Sequence, residues 1–509
     1  MKSEKYILTI CILIMQLFGG TLLAQTNNKM MKEEYRPQVH FSPAAHWMND
    51  PNGMVYYNSQ YHLYFQYYPN SSVWGPMHWG HASSKDLVHW QEQPIALYPD
   101  SLGHIFSGSI VVDINNTSGF GKTGKVPFVA IFTHHDMAGE KAGKNDFQNQ
   151  SIAYSLDEGI TWTKYSDNPV VKNPGIRDFR DPKVSWFEEG KKWIMTLAAF
   201  DRVIFYSSPD LKSWTKESEF GTGVGKHGAA WECPDLFPLD YNGEKIWVLL
   251  VSINPGGPNG GSATQYFTGQ FDGKNFLSNQ TDIRWLDYGT DNYAGVTWYN
   301  TGARKIFLGW MNNWQYGKVV PTKGWRSAMT VPRDLGIEKI ANQYLVTSLP
   351  VKELNSIDDK HIVAENISAS NYDLTKKVGT LTSPAKINFA ADKIETFSIT
   401  FSNEQGDKIV VGYDKAANYF YVDRSESGKV NFEKEFGSFH YAPRLSAKSN
   451  IDFTLIIDNA SVELFADKGL TVMTEIFFPN KPYSKIHIQS ADNLHIKKLE
   501  YISLKSIWK

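Results

Sequence analysis

Five apolar, strand-like segments recur through the first two-thirds of this 509-residue chain, about 50–75 residues apart. A shorter β-rich segment and a turn containing Asn or Gly precede each one, and no helical periodicity competes with the strand pattern. Five copies of a four-stranded unit are typical of a five-bladed β-propeller, an all-β fold. The segments are Tyr61–Tyr67, Phe128–Thr133, Trp193–Phe200, Ile246–Ile253 and Lys305–Met311.

A turn with a fixed pattern follows four of these segments. It carries an Asp and then an aromatic residue four or five positions later. The recurrence at one place in each unit supports the repeat. The pairs are Asp86 with Trp90, Asp157 with Trp162, Asp210 with Trp214 and Asp272 with Phe276.

The repeats predict how the chain divides into domains. We expect the propeller over residues 33–348 and a polar linker over residues 349–365. Short alternating strands without helices follow, which predicts a β-sandwich over residues 366–509. The sandwich carries no comparable carboxylate motif, so a structural or auxiliary role is expected for it.

Residues 1–24 have the pattern of a signal peptide. Lys2 and Lys5 are basic, Tyr6–Phe18 is largely apolar, and small residues precede a plausible cleavage site after Ala24. The apolar run is too short to span a bilayer, although a retained anchor is the alternative. No later segment is apolar for about 18 residues. We therefore expect export to the periplasm or the extracellular space, without membrane insertion once the signal is cleaved.

Composition narrows the possible partners. A formal charge of −2 over the whole chain argues against nucleic acid or an anionic membrane as the main partner and suits an uncharged ligand. Cys11 lies in the leader, so Cys233 is the only cysteine of the expected mature chain and no internal disulfide can form. No Cys/His cluster has zinc spacing, and no cofactor or metal is implied.

Acidic or polar motifs stand at the five repeat starts. We expect each motif just ahead of the first strand of its unit. Because the innermost strands of a propeller line one central channel, equivalent positions from all units should converge at its mouth. The five positions are Asp50, Phe106-Ser107, Asp181, Glu232 and Tyr293-Ala294.

Converging carboxylates suit the cleavage of a sugar linkage, which needs one carboxylate at the anomeric carbon and one acid at the leaving oxygen. Asp50 suits the first task, because donors from the flanking Asn49 and Asn52 would keep it ionised. Glu232 suits the second, because an apolar setting from Trp231 and Cys233 would raise the pKa of a carboxyl group.

Asp181 is the third carboxylate of the set. It follows Arg180, a fixed cation that would hold it ionised as an acceptor for ring hydroxyls. Cys233 should help to tune Glu232 without taking part in the chemistry. The spacing of the motifs alone does not show which catalytic role each of the three carboxylates has.

The ordered motifs resemble glycoside hydrolase family 32, the family of invertases, inulinases and levanases. They are WMNDPNG at 47–53, FSGS at 106–109, RDP at 180–182 and ECPD at 232–235, and the resemblance runs from about Tyr35 to the C-terminus. It implies that Asp50 is the nucleophile, Glu232 the acid/base and Asp181 the transition-state stabiliser. The substrate-binding positions that it implies are Trp47, Asn49, Gln66, Trp74, Phe106, Ser107, Arg180, Tyr293 and Trp310.

The resemblance implies an exported, retaining β-fructosidase that removes terminal fructose from fructans and sucrose. Trp47, Gln66, Trp74 and Trp310 would close a pocket around one terminal furanose ring. A fructosyltransferase and an endo-acting fructanase are alternatives within the same class, and a catalytically silent sugar-binding propeller is an alternative from another class. The presence of both Asp50 and Glu232 argues against the silent propeller. The sequence does not decide between β-2,1 and β-2,6 linkages.

Overall fold

The computed structural model describes residues 31–228, 230–381 and 383–508. The predicted signal peptide, residues 1–24, lies outside the described residues. Strands dominate the described chain, which also contains two short helices, α1 (Met137–Lys141) and α2 (Thr375–Val378), and a 3-10 helix at Lys352–Ile357. Within these residues no helix is long and apolar enough to cross a bilayer.

The first two-thirds of the described chain forms five sheets in which consecutive strands pair antiparallel. Blade 1 contains β1 (His46–Tyr57), β2 (Gln60–Tyr68), β3 (His78–Ser84) and β4 (Gln91–Leu97). Blade 2 contains β5 (His104–Val112), β6 (Phe128–His135), β7 (Gln148–Ser155) and β8 (Thr163–Lys164). Blade 3 contains β9 (Phe179–Phe187), β10 (Lys192–Ala199), β11 (Arg202–Ser208) and β12 (Thr215–Phe220).

Blades 4 and 5 have the same plan with short additional strands. Blade 4 contains β13 (Trp231–Tyr241), β14 (Glu244–Ile253), β15 (Ala263–Phe271), β16 (Phe276–Leu277) and β17 (Arg284–Trp285). The elements after it are β18 (Tyr293–Thr297), β19 (Lys305–Met311), β20 (Trp325–Arg326), β21 (Ala328–Met329), β22 (Arg333–Ile340) and β23 (Gln343–Pro350). β20 joins blade 1 by pairing parallel with β1, whereas the others form blade 5. The five-bladed propeller predicted from the repeats is confirmed, and each repeated apolar segment falls on the second strand of a blade.

The recurring Asp turns join the third and fourth strands of their blades. In blade 1, the Asp86 carboxylate accepts the backbone N–H groups of Val88 and His89 at 3.0 and 2.8 Å. The indole N–H of Trp90 donates to the carbonyl oxygen of Leu87 at 3.0 Å. The Asp closes the turn and the aromatic ring anchors it, which explains why the two recur four or five residues apart.

Every blade has a β-bulge near the start of its first strand, where two residues oppose one residue of the second strand. The predicted site positions therefore lie inside the first strands, not ahead of them as expected. A bulge allows pairing to continue on both sides while it re-aims the local side chains. The bulges are Asn49-Asp50 opposite Gln66, Phe106-Ser107 opposite Thr133, Asp181-Pro182 opposite Leu197, Cys233-Pro234 opposite Val251 and Ala294-Gly295 opposite Gly309.

The C-terminal domain is a ten-stranded sheet that folds into two facing layers. β33 pairs with β26 through its first half and with β25 through its second half, and so joins the layers. The ring of Phe397 in one layer lies 5.1 Å from Phe389 and 5.8 Å from Phe453 in the other. The predicted β-sandwich is confirmed. Its strands are β24 (Asp358–Asp373), β25 (Ala385–Ala391), β26 (Phe397–Ser402), β27 (Lys408–Asp414), β28 (Tyr419–Asp423), β29 (Phe439–Pro443), β30 (Ile451–Ile457), β31 (Ser461–Ala466), β32 (Thr471–Ile476) and β33 (Lys485–Leu504).

The region predicted as a linker, residues 349–365, contains regular structure. The 3-10 helix follows β23, and β24 begins at Asp358 and pairs with β33. β24 pairs with no other strand of the described sheet and is therefore an edge strand. Side chains such as Lys360 are exposed on it. The polar composition that suggested a linker therefore reflects an edge strand.

Candidate active site

A cavity of about 290 Å³ lies where the bulged first strands of four blades meet. Nine of the twelve predicted site residues line it, including all three carboxylates. The convergence of residues far apart in sequence follows from their equivalent places in successive blades. The nine residues are Asn49, Asp50, Gln66, Trp74, Phe106, Ser107, Arg180, Asp181 and Glu232.

Asp50 is held by two side-chain donors from the bulges of blades 1 and 2. Asn49 Nδ2 donates to Oδ1 at 2.8 Å, and Ser107 Oγ donates to Oδ2 at 2.6 Å. Asn52, which we expected to donate to this carboxylate, instead donates to the Asp50 backbone carbonyl at 3.1 Å. Burial raises the pKa of Asp50, and the charge of Glu232 adds to this, although the two hydrogen bonds lower it. Of the two amides expected to donate to this carboxylate, only Asn49 does so, and burial outweighs its effect on the pKa.

Asp181 is buried and has a backbone φ of 65°, in the left-handed region. Its Oδ2 accepts the backbone N–H of Cys233 at 3.0 Å, and Arg180 Nε lies 4.0 Å from the same oxygen. Burial raises the pKa of Asp181 to about 7, Arg180 opposes the rise, and Glu232 and Asp50 reinforce it. Burial therefore outweighs the effect of Arg180, the cation that was expected to hold Asp181 ionised.

Glu232 receives donors on both carboxylate oxygens. Arg180 donates to Oε1 from Nε at 3.2 Å and from Nη2 at 3.0 Å, and the Tyr293 hydroxyl donates to Oε2. The apolar setting expected from its sequence neighbours is not found. Trp231 is fully buried in the apolar cluster between blades 3 and 4, and the carboxylate instead faces polar partners from blades 3 and 5.

The Cys233 thiol lies between the other two carboxylates. Its Sγ is 3.7 Å from Asp50 Oδ2 and 3.6 Å from Asp181 Oδ2. Burial, together with the charges of Asp181, Asp50 and Glu232, raises the pKa of the thiol well above its ordinary value. The residue therefore stays protonated and acts as a weak S–H donor.

Three predicted binding residues, Trp47, Tyr293 and Trp310, lie behind the cavity wall, not on it. Their exposed fractions are 0%, 1% and 0%. The Trp47 indole donates to Asn49 Oδ1 at 2.7 Å, and Tyr293 donates to Glu232. Both therefore support residues of the wall.

Trp314 takes the place on the wall that was expected for Trp310. Its ring lies 4.9 Å from that of Trp310 and 5.9 Å from that of Trp47. Sequence analysis missed it, although it follows Trp310 by four residues. Lys318 lines the same side, with Nζ 5.8 Å from the rings of both Trp74 and Trp314.

Blade 2 adds a second group of lining residues that the sequence analysis missed. His135 stacks on Phe106 with ring centres 4.1 Å apart, and burial lowers the pKa of His135 to about 4. Glu140 lies 3.1 Å from its Nε2. Gln148 of blade 2 and Asp178, which directly precedes the first strand of blade 3, complete the group, and both contact Arg180. Of these residues, only Asp178 could have been found from the motifs, because it stands two residues before Arg180.

The site brings together three carboxylates in different settings. Hydrogen bonds orient both oxygens of Asp50, and Glu232 lies between Arg180 and Tyr293. Asp181 is buried beside both. Gln66 adds a buried Nε2 without a hydrogen-bond partner in the described part of the chain. The half-buried rings of Trp74 and Phe106 lie beside these polar groups. Such a site can bind a polyhydroxylated ring and act on it with paired carboxylates.

Comparisons with known proteins agree with this chemistry. The model of the glycosyl hydrolases family 32 N-terminal domain matches residues 40–348, and that of the family 32 C-terminal domain matches residues 351–504. A levanase of Bacillus subtilis is 46% identical, over 94% of this chain and 71% of that protein. The extracellular exo-inulinase inuE of Aspergillus niger is 39% identical, over 88% of this chain and 90% of that protein. The crystal structure of exo-inulinase from Aspergillus awamori superposes with a TM-score of 0.86 and 36% identity, covering 94% of this chain and 99% of that one.

Proposed function

The chain belongs to glycoside hydrolase family 32, and from this premise we propose that it is an exported β-fructosidase that releases terminal β-D-fructose from fructans and sucrose. The observation that carries the proposal is the meeting of Asp50, Asp181 and Glu232 in one cavity. The levanase and exo-inulinase relatives support fructan as the substrate class. Sucrose is included because its fructose unit is also a terminal β-fructofuranoside.

In the proposed first step, an Asp50 oxygen attacks the anomeric carbon and the glycosidic C–O bond breaks. Glu232 gives its proton to the leaving oxygen, and a fructosyl ester forms on Asp50. Asn49 and Ser107 orient the attacking carboxylate. Asp181 accepts hydroxyl groups of the ring as positive charge develops on it.

In the second step Glu232 removes a proton from water, and the resulting hydroxide displaces Asp50 from the anomeric carbon. Two displacements retain the anomeric configuration. NMR of the first-formed product tests this, and an inverted anomer would contradict the assignment of Asp50 as nucleophile.

For substrate binding we propose the six other predicted residues on the cavity wall. The unpartnered Nε2 of Gln66 is suited to a sugar hydroxyl, and Trp74 and Phe106 are suited to the apolar face of a ring. The small volume of the cavity favours one terminal residue over the middle of a polymer. The six residues are Asn49, Gln66, Trp74, Phe106, Ser107 and Arg180.

Timed chromatography of products from sucrose, inulin and levan tests the proposal. Fructose as the only early product from either polymer is the expected result. A ladder of oligosaccharides would indicate endo action instead of exo action. Early trisaccharide from sucrose would indicate a fructosyltransferase. Asp50→Asn, purified in parallel, controls for contaminating activity, and relative rates on inulin and levan give the linkage preference.

A further inference from the structure

Arg424, at the end of β28 in the sandwich, is buried against the propeller. Its Nη1 donates to Asp291 Oδ2 at 2.8 Å, and its Nη2 donates to the Tyr316 hydroxyl at 3.0 Å. Tyr316 in turn donates to Asp291 Oδ1 at 2.7 Å, which closes a three-residue ring of contacts between the domains. Nε is bound within the sandwich, to the carbonyl oxygen of Phe436 at 2.6 Å. The guanidinium therefore ties two propeller segments to one place on the sandwich.

The first of these segments leads directly to the active site. Asp291 stands two residues before Tyr293, whose hydroxyl donates to Glu232. The sandwich holds Asp291 from further sides, because its Oδ2 accepts the N–H of Ile476 at 3.0 Å and its own N–H donates to the Thr474 carbonyl at 3.1 Å. The sandwich therefore fixes the backbone from which Tyr293 reaches Glu232.

The second segment carries the aromatic wall. The Tyr316 N–H donates to the Asn313 carbonyl at 3.2 Å, and Asn313 Nδ2 donates to the Thr290 carbonyl at 2.8 Å. Trp314, which lines the cavity, lies between Asn313 and Tyr316 in sequence. Both segments are thus bonded to each other and to Arg424.

Arg424 faces two buried carboxylates, Asp291 and Glu475. Its guanidinium also lies 2.9 Å from Glu475, which accepts the Thr290 hydroxyl at 3.0 Å and pairs with His440 at 2.9 Å. Asp291 and Glu475 are both fully buried carboxylates, and burial raises the pKa of Asp291 while Arg424 opposes the rise. Arg424 is therefore the cation that opposes the effect of burial on Asp291, and it binds that carboxylate directly.

We infer that Arg424 is a positioning residue for the reaction: through Asp291 and Tyr316 it sets the places of Tyr293 and Trp314, and thereby of the Glu232 carboxylate. The inference rests on the proposed function and gives the sandwich a role in catalysis beyond general stability.

Two variants test it with the charges conserved. Arg424→Lys keeps the cation but cannot reach Asp291 and Tyr316 together, and Tyr316→Phe removes only the hydroxyl that joins them. We expect kcat on sucrose to fall by about 10- to 100-fold for Arg424→Lys, as for a misplacement of about 1 Å, and by less for Tyr316→Phe. The alkaline limb of the pH–rate profile, which reports the proton-donating acid, should move to higher pH in both, because a donor to the ionised acid is weakened. The charged or titratable groups facing that acid are Arg180, Tyr293, Asp50, Asp181 and Cys233.

Arg444→Lys is the matched control. Arg444 is also buried and forms a fork with Asp467 at 2.6 and 2.9 Å, and its other partners, Lys448 and Asn450, also lie in the sandwich. The Arg444→Lys variant should lose thermal stability, as Arg424→Lys does, but should keep the wild-type pH–rate profile. Addition of Tyr293→Phe to Arg424→Lys should cost less than the two separate losses combined, because both act through one contact.

A wild-type kcat and pH profile in Tyr316→Phe would overturn the inference, as would equal profiles for the two arginine variants. If Arg424→Lys does not fold, Tyr316→Phe decides alone. All comparisons are relative to active wild-type enzyme on sucrose. A wild-type enzyme that releases no fructose therefore refutes the proposed function and is distinguished from a failure of this inference.

Discussion

Arg180 donates two N–H groups to a single oxygen of Glu232, from Nε at 3.2 Å and from Nη2 at 3.0 Å. The same guanidinium reaches Asp178 Oδ1 at 2.5 Å but lies 4.0 Å from Asp181. The arginine of the Arg-Asp-Pro motif therefore serves a carboxylate of the next blade more closely than its own neighbour in sequence.

Arg180→Lys should lower kcat/KM on sucrose by roughly 10- to 100-fold. Lysine keeps the charge but loses the planar fork, and hydrogen bonds to charged groups contribute about 1.5–3 kcal/mol. Arg304→Lys is the control, since Arg304 donates from the same two nitrogens to Asp334, one to each carboxylate oxygen at 2.8 Å, at a partly exposed site. Comparable kcat/KM values for wild type and Arg180→Lys would contradict the assigned contact.

Glu232→Gln should lose about 10²- to 10⁴-fold in kcat on sucrose, the usual contribution of general acid catalysis. An aryl β-fructofuranoside with an acidic phenol needs no proton at its leaving group, so its bond-cleavage step should suffer much less. Burst kinetics separate that step from hydrolysis of the intermediate. Equal losses with both substrates would remove Glu232 from the role of acid.

Asp181→Asn should raise stability at alkaline pH. The folded pKa of Asp181, about 7, exceeds its ordinary value of 3.8, so its contribution to stability is present in full below about pH 3.8 and is lost as the pH rises through 7. The amide cannot ionise and can still accept the Cys233 N–H. Thermal unfolding should show a gain of about 1–4 °C at pH 8 and little change at pH 4, together with a large loss of turnover. A uniform change at both pH values would mean that burial of the Asp181 charge is not the cause.

Cys233→Ser should move the acidic limb of the kcat/KM profile to lower pH. The sulfur lies 3.7 and 3.6 Å from Asp50 and Asp181, and a hydroxyl is a stronger donor to an ionised carboxylate than a thiol is. Cys233→Ala, which donates nothing, should shift the limb in the opposite direction. The sequence argument had linked Cys233 to Glu232 and thus to the alkaline limb, so the limb that moves identifies the carboxylate that the thiol tunes.

Trp74→Phe and Trp310→Phe should differ in kind. Trp74 is half-buried on the cavity wall, so its loss should raise KM for sucrose with little effect on unfolding. Trp310 is fully buried, so its loss should leave a void and lower the melting temperature, at a cost of about 1–3 kcal/mol. A raised KM with unchanged stability in Trp310→Phe would show instead that Trp310 binds the substrate.

The sequence determined the architecture because its signals are local. Strand period and turn chemistry act over a few residues, and together with the spacing of the five segments they predict the blades and the sandwich without knowledge of packing. Repeat equivalence also brought Asp50, Asp181 and Glu232 together, since equal positions in successive blades converge. The linker prediction failed for the same reason, because a polar edge strand and a linker have similar local composition.

Only the tertiary structure decided which groups meet within the site. The bulges re-aim the side chains of the first strands, and Asp181, Cys233 and Ala294 adopt positive φ values that a strand period cannot reveal. Arg180 consequently pairs with Glu232, and Tyr293 lies behind the wall. The pKa of Asp181 and the contact of Arg424 with Asp291 depend on burial between blades and between domains. Desolvation is a property of all the atoms around a group, so no stretch of sequence contains it.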